Sequence, residues 1–313
     1  MPQHAHSRGF EHEALLYAGD DEFVDRTAAF VREGVEADEP VLVMVGARKL
    51  ERLRAALGDH AAHVRFVDME QAGRNPARII PAWRDFADRN ARPGRSLRGV
   101  GEPIWADRST AELVECQTHE SLLNVAFADA DGFRLLCPYD TSALEAAVIE
   151  EARRSHPVVL DGDVRWSSAS YRSEEAAVAG LDKPLPDPLP EARELGFDPE
   201  TLSPLRALVR GEAESAGFER SRAEDFALAV SEVAANSVRQ AGGHGTLRLW
   251  REPAAFVAEL QDGGSIDDPM VGRVEPAPHP DGGQGLWLAN HLCDLVQVRS
   301  FPDGTRVRLH MRA

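Results

Sequence analysis

From Lys183 to Pro190 every second residue is proline: Pro184, Pro186, Pro188 and Pro190. Proline fixes φ and has no amide to donate, so this stretch predicts an extended, semi-rigid spacer, not a helix or an interior strand. A chain of 313 residues interrupted there must bury a core on each side. The expected boundaries are a first domain over residues 10–172, a Pro-rich linker over 173–200 and a second domain over 201–313. Hydrophobic residues make up 43% of the chain, enough for two cores, and no apolar run reaches the roughly eighteen residues that cross a membrane. The opening MPQHAHSRGF lacks the charged and apolar regions of a signal peptide, and Cys116, Cys137 and Cys293 make no disulfide framework. A cytoplasmic protein without a membrane partner is expected. The net charge of −17, with the acid excess concentrated before residue 200, would repel phosphate backbones and argues against direct DNA binding.

In the first domain short apolar runs (ALLYA at 14–18, VLVMVG at 41–46, VRFV at 64–67, residues 97–101, FRLLC at 133–137) alternate with amphipathic stretches at 21–36, 49–57, 76–90, 109–128 and 142–154. Such alternation predicts an α/β domain with a mostly parallel sheet. The turn after the first strand, Tyr17-Ala18-Gly19-Asp20-Asp21-Glu22, offers acids where a phosphate loop needs glycines and a lysine. Those acids read as N-cap and first-turn charges of the next helix. The remaining polar constellation includes Trp105, Glu120, Tyr139 and Asp140, and within it His12, Glu102, Cys116, His119 and Cys137 are candidates for a sensory site. Cys116 and His119 share a helix face. A metal or redox site stands against the plainer reading of buried thiols and a satisfied core histidine.

Four blocks, His12–Tyr17 (HEALLY), Gly101–Trp105 (GEPIW), Cys116–Glu120 (CQTHE, with Leu122-Leu123-Asn124) and Leu136–Asp140 (LCPYD), together resemble the MEDS sensory domain over roughly residues 10–155. The resemblance implies a RecA-like fold that has lost nucleotide binding and senses a small-molecule ligand.

In the second domain a helical pattern over Phe226–Gln240 places Glu232 and Asn236 one turn apart on one side. An apolar strand, Phe256–Leu260, ends in Gln261-Asp262-Gly263-Gly264, and Gly282-Gly283-Gln284-Gly285-Leu286 opens a short helix. Strands at 246–251, 295–300 and 306–311, the last two joined by Pro302-Asp303-Gly304, complete an α+β two-layer sandwich. Each polar or glycine signal alone is an ordinary solvated pair or turn. Their order, Glu232-x-x-x-Asn236, Asp262-x-Gly264, Gly283-x-Gly285-Leu286 and Gly304-Thr305, resembles the conserved boxes of the GHKL ATPases (Bergerat fold). The Ser-Glu-x-x-x-Asn spelling and Gly-Leu-Trp-Leu are most similar to the anti-sigma-factor serine-protein kinases.

That resemblance implies ATP and Mg²⁺ as cofactors. Asn236 would hold the metal, Glu232 would be the catalytic base, and Asp262 would meet adenine with Thr305 in support. Gly264, Gly283, Gly285 and Leu286 would shape the nucleotide site. Ser265–Gly282 would form a lid without a helix, because it carries four prolines, with Arg273 as a candidate phosphate contact. Ile266 stands where many members carry glycine, and Gln240 where histidine is frequent. The implied function is an anti-sigma regulatory kinase that sequesters a sigma factor and phosphorylates Ser or Thr of an anti-anti-sigma (STAS) partner, as a homodimer. Two alternatives stay open: a sensor histidine kinase, since His119-Glu120-x-Leu122 is similar to a phosphoacceptor box, and a non-catalytic ATP-dependent partner-binding module.

Overall fold

The computed structural model describes residues 9–172, 183–276 and 284–312, and the chain divides into two units, residues 1–177 and 178–313. In the first unit seven strands form one sheet in the order β3-β2-β4-β5-β1-β6-β7. They are β1 (Phe10–Tyr17), β2 (Val41–Val45), β3 (Val64–Asp68), β4 (Leu97–Gly101), β5 (Phe133–Asp140), β6 (Val158–Asp161) and β7 (Val164–Ser167). All pairings are parallel except β6 with β7, a hairpin. β1 lies between β5 and β6, covered on both faces, which is why Ala14–Tyr17 reads as an unbroken apolar run.

Helices α1 (Gly19–Glu36) and α2 (Ala47–Leu57) pack with Leu15, Tyr17, Val43 and Leu136 in one core. Asp20, Asp21 and Glu22 occupy the first turn of α1, as its dipole favours; the N-cap itself is Ala18, with no side-chain bond. After the short α3 (Met69–Ala72) and α4 (Ile79–Asn90), α5 (Thr110–Ala126) starts at a capping box in which Ser109 and Glu112 satisfy each other's end groups. Helix α6 (Ala146–Ser155) leads into His156 and β6.

The second unit is an antiparallel sheet in the order β11-β12-β10-β9-β8, from β8 (Arg193–Phe197), β9 (Gly245–Glu252), β10 (Ala255–Asp262), β11 (Leu295–Phe301) and β12 (Gly304–Met311). Its apolar face (Leu247, Phe256, Ala258, Leu260, Leu309) buries against three helices, Leu202–Ser215, Arg220–Gln240 and Gly285–Leu292. The long Arg220–Gln240 helix contributes Ala223, Phe226, Ala227, Val230, Val233 and Ala234, a stripe at three- and four-residue spacing, and stops before Gly242 and Gly243, both at positive φ.

Two parts of the expected spacer are built into this unit. Residues 193–197 are its edge strand, paired with β9. Upstream, Leu185 is buried, Arg299 donates to the Lys183 carbonyl at 2.8 Å and Arg308 to the Pro186 carbonyl at 2.6 Å. Alternating prolines remove amide donors but leave carbonyls, and arginines on the sheet face away from the helices use them. Among the described residues no helix is long and apolar enough to cross a membrane.

The β10–β12 end depends on Gly304. Its φ is +139°, and a Cβ there would lie 2.1 Å from the Asp262 carbonyl oxygen. Gly304→Ala is therefore expected to lower the stability of the second unit by about 2–3 kcal/mol, read as an earlier unfolding transition in urea.

Candidate functional site

In the second unit Gly264 and Gly285 lie against the C-terminal part of the Arg220–Gln240 helix and the residue after it. Gly285 opens the short helix directly against it: a Cβ on Gly285 would lie 2.4 Å from Asn236 Nδ2 and 2.9 Å from the Glu232 carbonyl. Only glycine permits that approach. Gly264 sits against Ala241, the residue that follows the long helix. Asp262 Oδ1 accepts from the Gly264 amide at 2.8 Å, and Thr305, paired with Asp262 across the sheet, donates to the Gly264 carbonyl at 2.9 Å. Glu232, Asn236 and Asp262 are half-buried and Thr305 is buried. The predicted residues Glu232, Asn236, Asp262, Gly264, Gly285 and Thr305 thus share one end of the domain.

The Leu286 side chain belongs to the hydrophobic core, leaving its backbone at the helix start. Gly283 lies outside the described residues, as do residues 277–282 of the expected lid. Residues 265–276 contain no helix, as their prolines require. Ile266 packs against the core and its amide donates to Ser300 Oγ at 2.8 Å, while Asn290 donates to the Gly272 carbonyl at 2.8 Å. The segment is anchored at both points. Arg273, expected as a phosphate contact, is enclosed at 8% exposure.

The residues fit a nucleotide with its metal. Gly285 brings the start of the short helix, its positive end, against Asn236 and the Glu232 backbone with no side chain of its own between them. The Asn236 amide oxygen is a hard donor of the kind Mg²⁺ takes, held here by the exposed Arg239 guanidinium, which donates to it.

The five sensory candidates of the first unit divide. His12 and Cys137 come together: they face the same side of the sheet, and His12 Nε2 lies 3.3 Å from Cys137 Sγ. Two further residues join them. Glu120 Oε2, from α5, is 3.2 Å from His12 Nε2 and 3.2 Å from His156 Nε2. All four residues are at most 1% exposed. Burial, and then the charge of His156, lower the His12 pKa to about 4. Burial and the Glu120 carboxylate push the Cys137 thiol well above its ordinary range. Burial works against the Glu120 carboxylate too, but the two imidazoles hold it below the usual range.

Glu102 is elsewhere, at the carboxyl end of β4. Its Oε1 accepts from Tyr17 Oη at 2.6 Å and from Lys49 Nζ at 2.5 Å, and Lys49 also lies over the Tyr17 and Phe23 rings. Burial raises the Glu102 pKa against the pull of Lys49 and Tyr17. This triad occupies the sheet edge where ligands of parallel sheets gather. Cys116 donates to the Pro103 carbonyl at 3.4 Å, and burial raises its thiol to about 12. His119 is buried outside the converging group.

Sequence reasoning missed His156, Lys49 and Tyr17. Lys49 reads as a helix start, Tyr17 as part of an apolar strand, and His156 sits in a stretch with weak periodicity. Only the β1–β6 pairing brings His156 to His12.

Comparison with known families assigns both units. Residues 11–157 match the MEDS model, described as the MEthanogen/methylotroph, DcmR Sensory domain, and residues 195–311 match the Histidine kinase-like ATPase domain. The chain carries an N-terminal MEDS domain followed by a histidine kinase-like ATPase domain. No curated protein matches it. An ATPase domain of this type implies ATP binding, and with a sensory domain ahead of it the architecture is that of a sensor-regulated, ATP-binding regulatory protein.

Two substitutions probe these sites. Gly285→Ala is expected to weaken ATP binding on the order of tenfold, about 1.4 kcal/mol, in calorimetry, with a smaller effect on the unfolding midpoint. Lys49→Met strands the Glu102 acid and should cost the first unit about 3 kcal/mol, whereas adding Glu102→Gln should recover at least half of that loss in the same urea titration.

Proposed function

We propose that the chain is an anti-sigma regulatory protein kinase: its second domain binds ATP with Mg²⁺ and phosphorylates Ser or Thr of an anti-anti-sigma (STAS) partner, and its first domain biases the switch when a small-molecule ligand binds. The observation that carries the reading is the meeting of Glu232 and Asn236 with the start of the Gly285–Leu292 helix, while the Asp262–Gly264 turn closes on the end of the same long helix. ATP supplies the phosphoryl group. Asn236 holds the metal through its amide oxygen once Arg239 yields it, Glu232 orients or accepts the proton of the partner's hydroxyl, and Asp262 accepts a hydrogen bond from the adenine amino group. The amides at the start of the short helix face the phosphates.

The same reading takes the first domain as RecA-like with its nucleotide function lost. Acids follow β1, and Tyr17, Lys49 and Glu102 fill the edge where a phosphate would lie. A sigma factor as the second partner, a homodimer and no direct DNA contact complete the proposal. His119 is buried, at 1% exposure, which weighs against a sensor histidine kinase.

Calorimetry with Mg²⁺ and ATP, followed by transfer of labelled γ-phosphate to a candidate STAS protein, tests this. Asp262→Ala should weaken ATP binding roughly 10- to 150-fold, the worth of a hydrogen bond to a charged acceptor, and Asn236→Ala should abolish the Mg²⁺ dependence. Label on a partner Ser or Thr supports the kinase. ATP binding with no transfer in a single turnover leaves the binding module, and acid-labile label on His119 the histidine kinase.

A further inference from the structure

The donor atoms of His12, Glu120, Cys137 and His156 lie within 4.8 Å of one another, in the interior of the first unit. We propose that they form a binding site for one divalent transition-metal ion of the Zn²⁺ class. The inference rests on the first unit alone and is independent of the kinase reading.

Spacing is the first argument. In a tetrahedral site with metal–ligand bonds of about 2.0–2.3 Å, neighbouring donors are roughly 3.3–3.8 Å apart. Here Glu120 Oε2 is 3.2 Å from each imidazole Nε2, and His12 Nε2 is 3.3 Å from Cys137 Sγ. Three of the six donor separations thus already come close to those of a four-coordinate shell, and all six are within 4.8 Å.

Orientation is the second. His12 Nδ1 lies 3.1 Å from Asn124 Oδ1, and the Asn124 amide nitrogen donates to the Ser155 carbonyl at 2.8 Å. The amide is thereby fixed with its oxygen toward His12, so His12 Nδ1 donates. His156 Nδ1 lies 2.8 Å from the Ala152 carbonyl, an acceptor only, and so donates as well. In its neutral form each ring held in this way carries its proton outward and turns an Nε2 lone pair inward. Metal-bound histidines are held in this way by an outer shell. Without a cation those lone pairs face a carboxylate, and His156 Nε2 and both Glu120 oxygens are without a well-formed hydrogen bond.

Charge is the third. Four other buried acids of the unit have an arginine or lysine: Glu13 has Arg165, Glu39 has Arg98, Glu102 has Lys49 and Glu112 has Arg108. The Glu120 carboxylate has two imidazoles instead. A divalent ion bound by Glu120, by the Cys137 thiolate and by two neutral imidazoles makes a neutral unit, with the thiol proton released to solvent. Mixed nitrogen, sulfur and oxygen donors in four-fold array suit Zn²⁺, with Co²⁺ as its spectroscopic substitute.

The test uses the full-length chain, purified from cells grown with added Zn²⁺ and, separately, unfolded with chelator and refolded with Co²⁺, because the quartet is closed to solvent. One equivalent of Zn²⁺ is expected by elemental analysis. The Co²⁺ form should show the intense visible bands of a tetrahedral ion and a thiolate charge-transfer band. Cys137→Ser should lose that band, and Cys116→Ser and Cys293→Ser should keep it. Asn124→Ala, which removes the outer partner of His12 and its bond to the Ser155 carbonyl but none of the four donors, should weaken Co²⁺ binding roughly 10- to 100-fold, with ATP binding by the second unit as the control for folding. A wild-type chain that takes up neither ion, or a spectrum unchanged in both Cys137→Ser and His156→Gln, overturns the proposal.

Discussion

A carboxylate removed from water must be met by a proton, a cation or several donors, and the described residues of the first domain include six buried acids, Glu13, Glu39, Glu102, Glu112, Glu115 and Glu120. Glu39 leaves the α1–β2 turn to reach Arg98 on β4, Glu13 on β1 reaches Arg165 on β7, and Glu112 caps α5 while holding Arg108. Arg108 in turn lies on the Trp105 ring and donates to the Gly73 carbonyl. These contacts tie loops to strands, so the polar groups do positional work that an apolar core leaves open. The cluster in which Glu102 meets Lys49 and Tyr17, and the one in which Glu120 meets two imidazoles, lie toward opposite ends of β1.

The second domain meets a different constraint, the distance between backbones. Its long helix can serve as one wall of a nucleotide site only if the short helix starts in contact with it, and Gly285 sets that contact. On the far face of the sheet charge returns: Glu259, fully buried, accepts twice from Arg308, which also covers the Trp250 ring and reaches the Pro186 carbonyl. A proline-rich strap is thereby fastened to a layer of ion pairs, and the sheet is covered on both sides although helices lie on only one.

The elements were legible in the sequence because both periodicities are strong: the run Ala14–Tyr17 for a strand covered on two faces, the Phe226–Gln240 pattern for the long helix, which in the structure begins at Arg220, Asn236 and Gly285 by motif order. The residues proposed for the second domain's site could be picked out for the same reason, since they belong to local turns and one helix face. The quartet of the first domain could not. His12 and Cys137 could be proposed as polar residues in apolar strands, but nothing local to His156 marks it, and Glu120 looks like one more acid on an acidic helix. Their meeting depends on β1 being inserted between β5 and β6, a fact of topology. The strap was misjudged for a related reason: proline alternation reports the shape of the segment, and the carbonyls left exposed by that shape are claimed by arginines more than a hundred residues away.

That insertion also orders events during synthesis. β1 is made first, yet its two neighbours are β5 and β6, and His12 is 125 positions from Cys137. At ribosomal speeds of about 5–20 residues per second, the strand spends roughly 6–25 s without a pairing partner. For that interval an apolar segment, Ala14–Tyr17, has both faces and both edges open, the condition under which nascent chains associate wrongly or are held by chaperones. The strand whose last six residues end fully buried is the one whose fate in the growing chain rests longest on something other than its own fold.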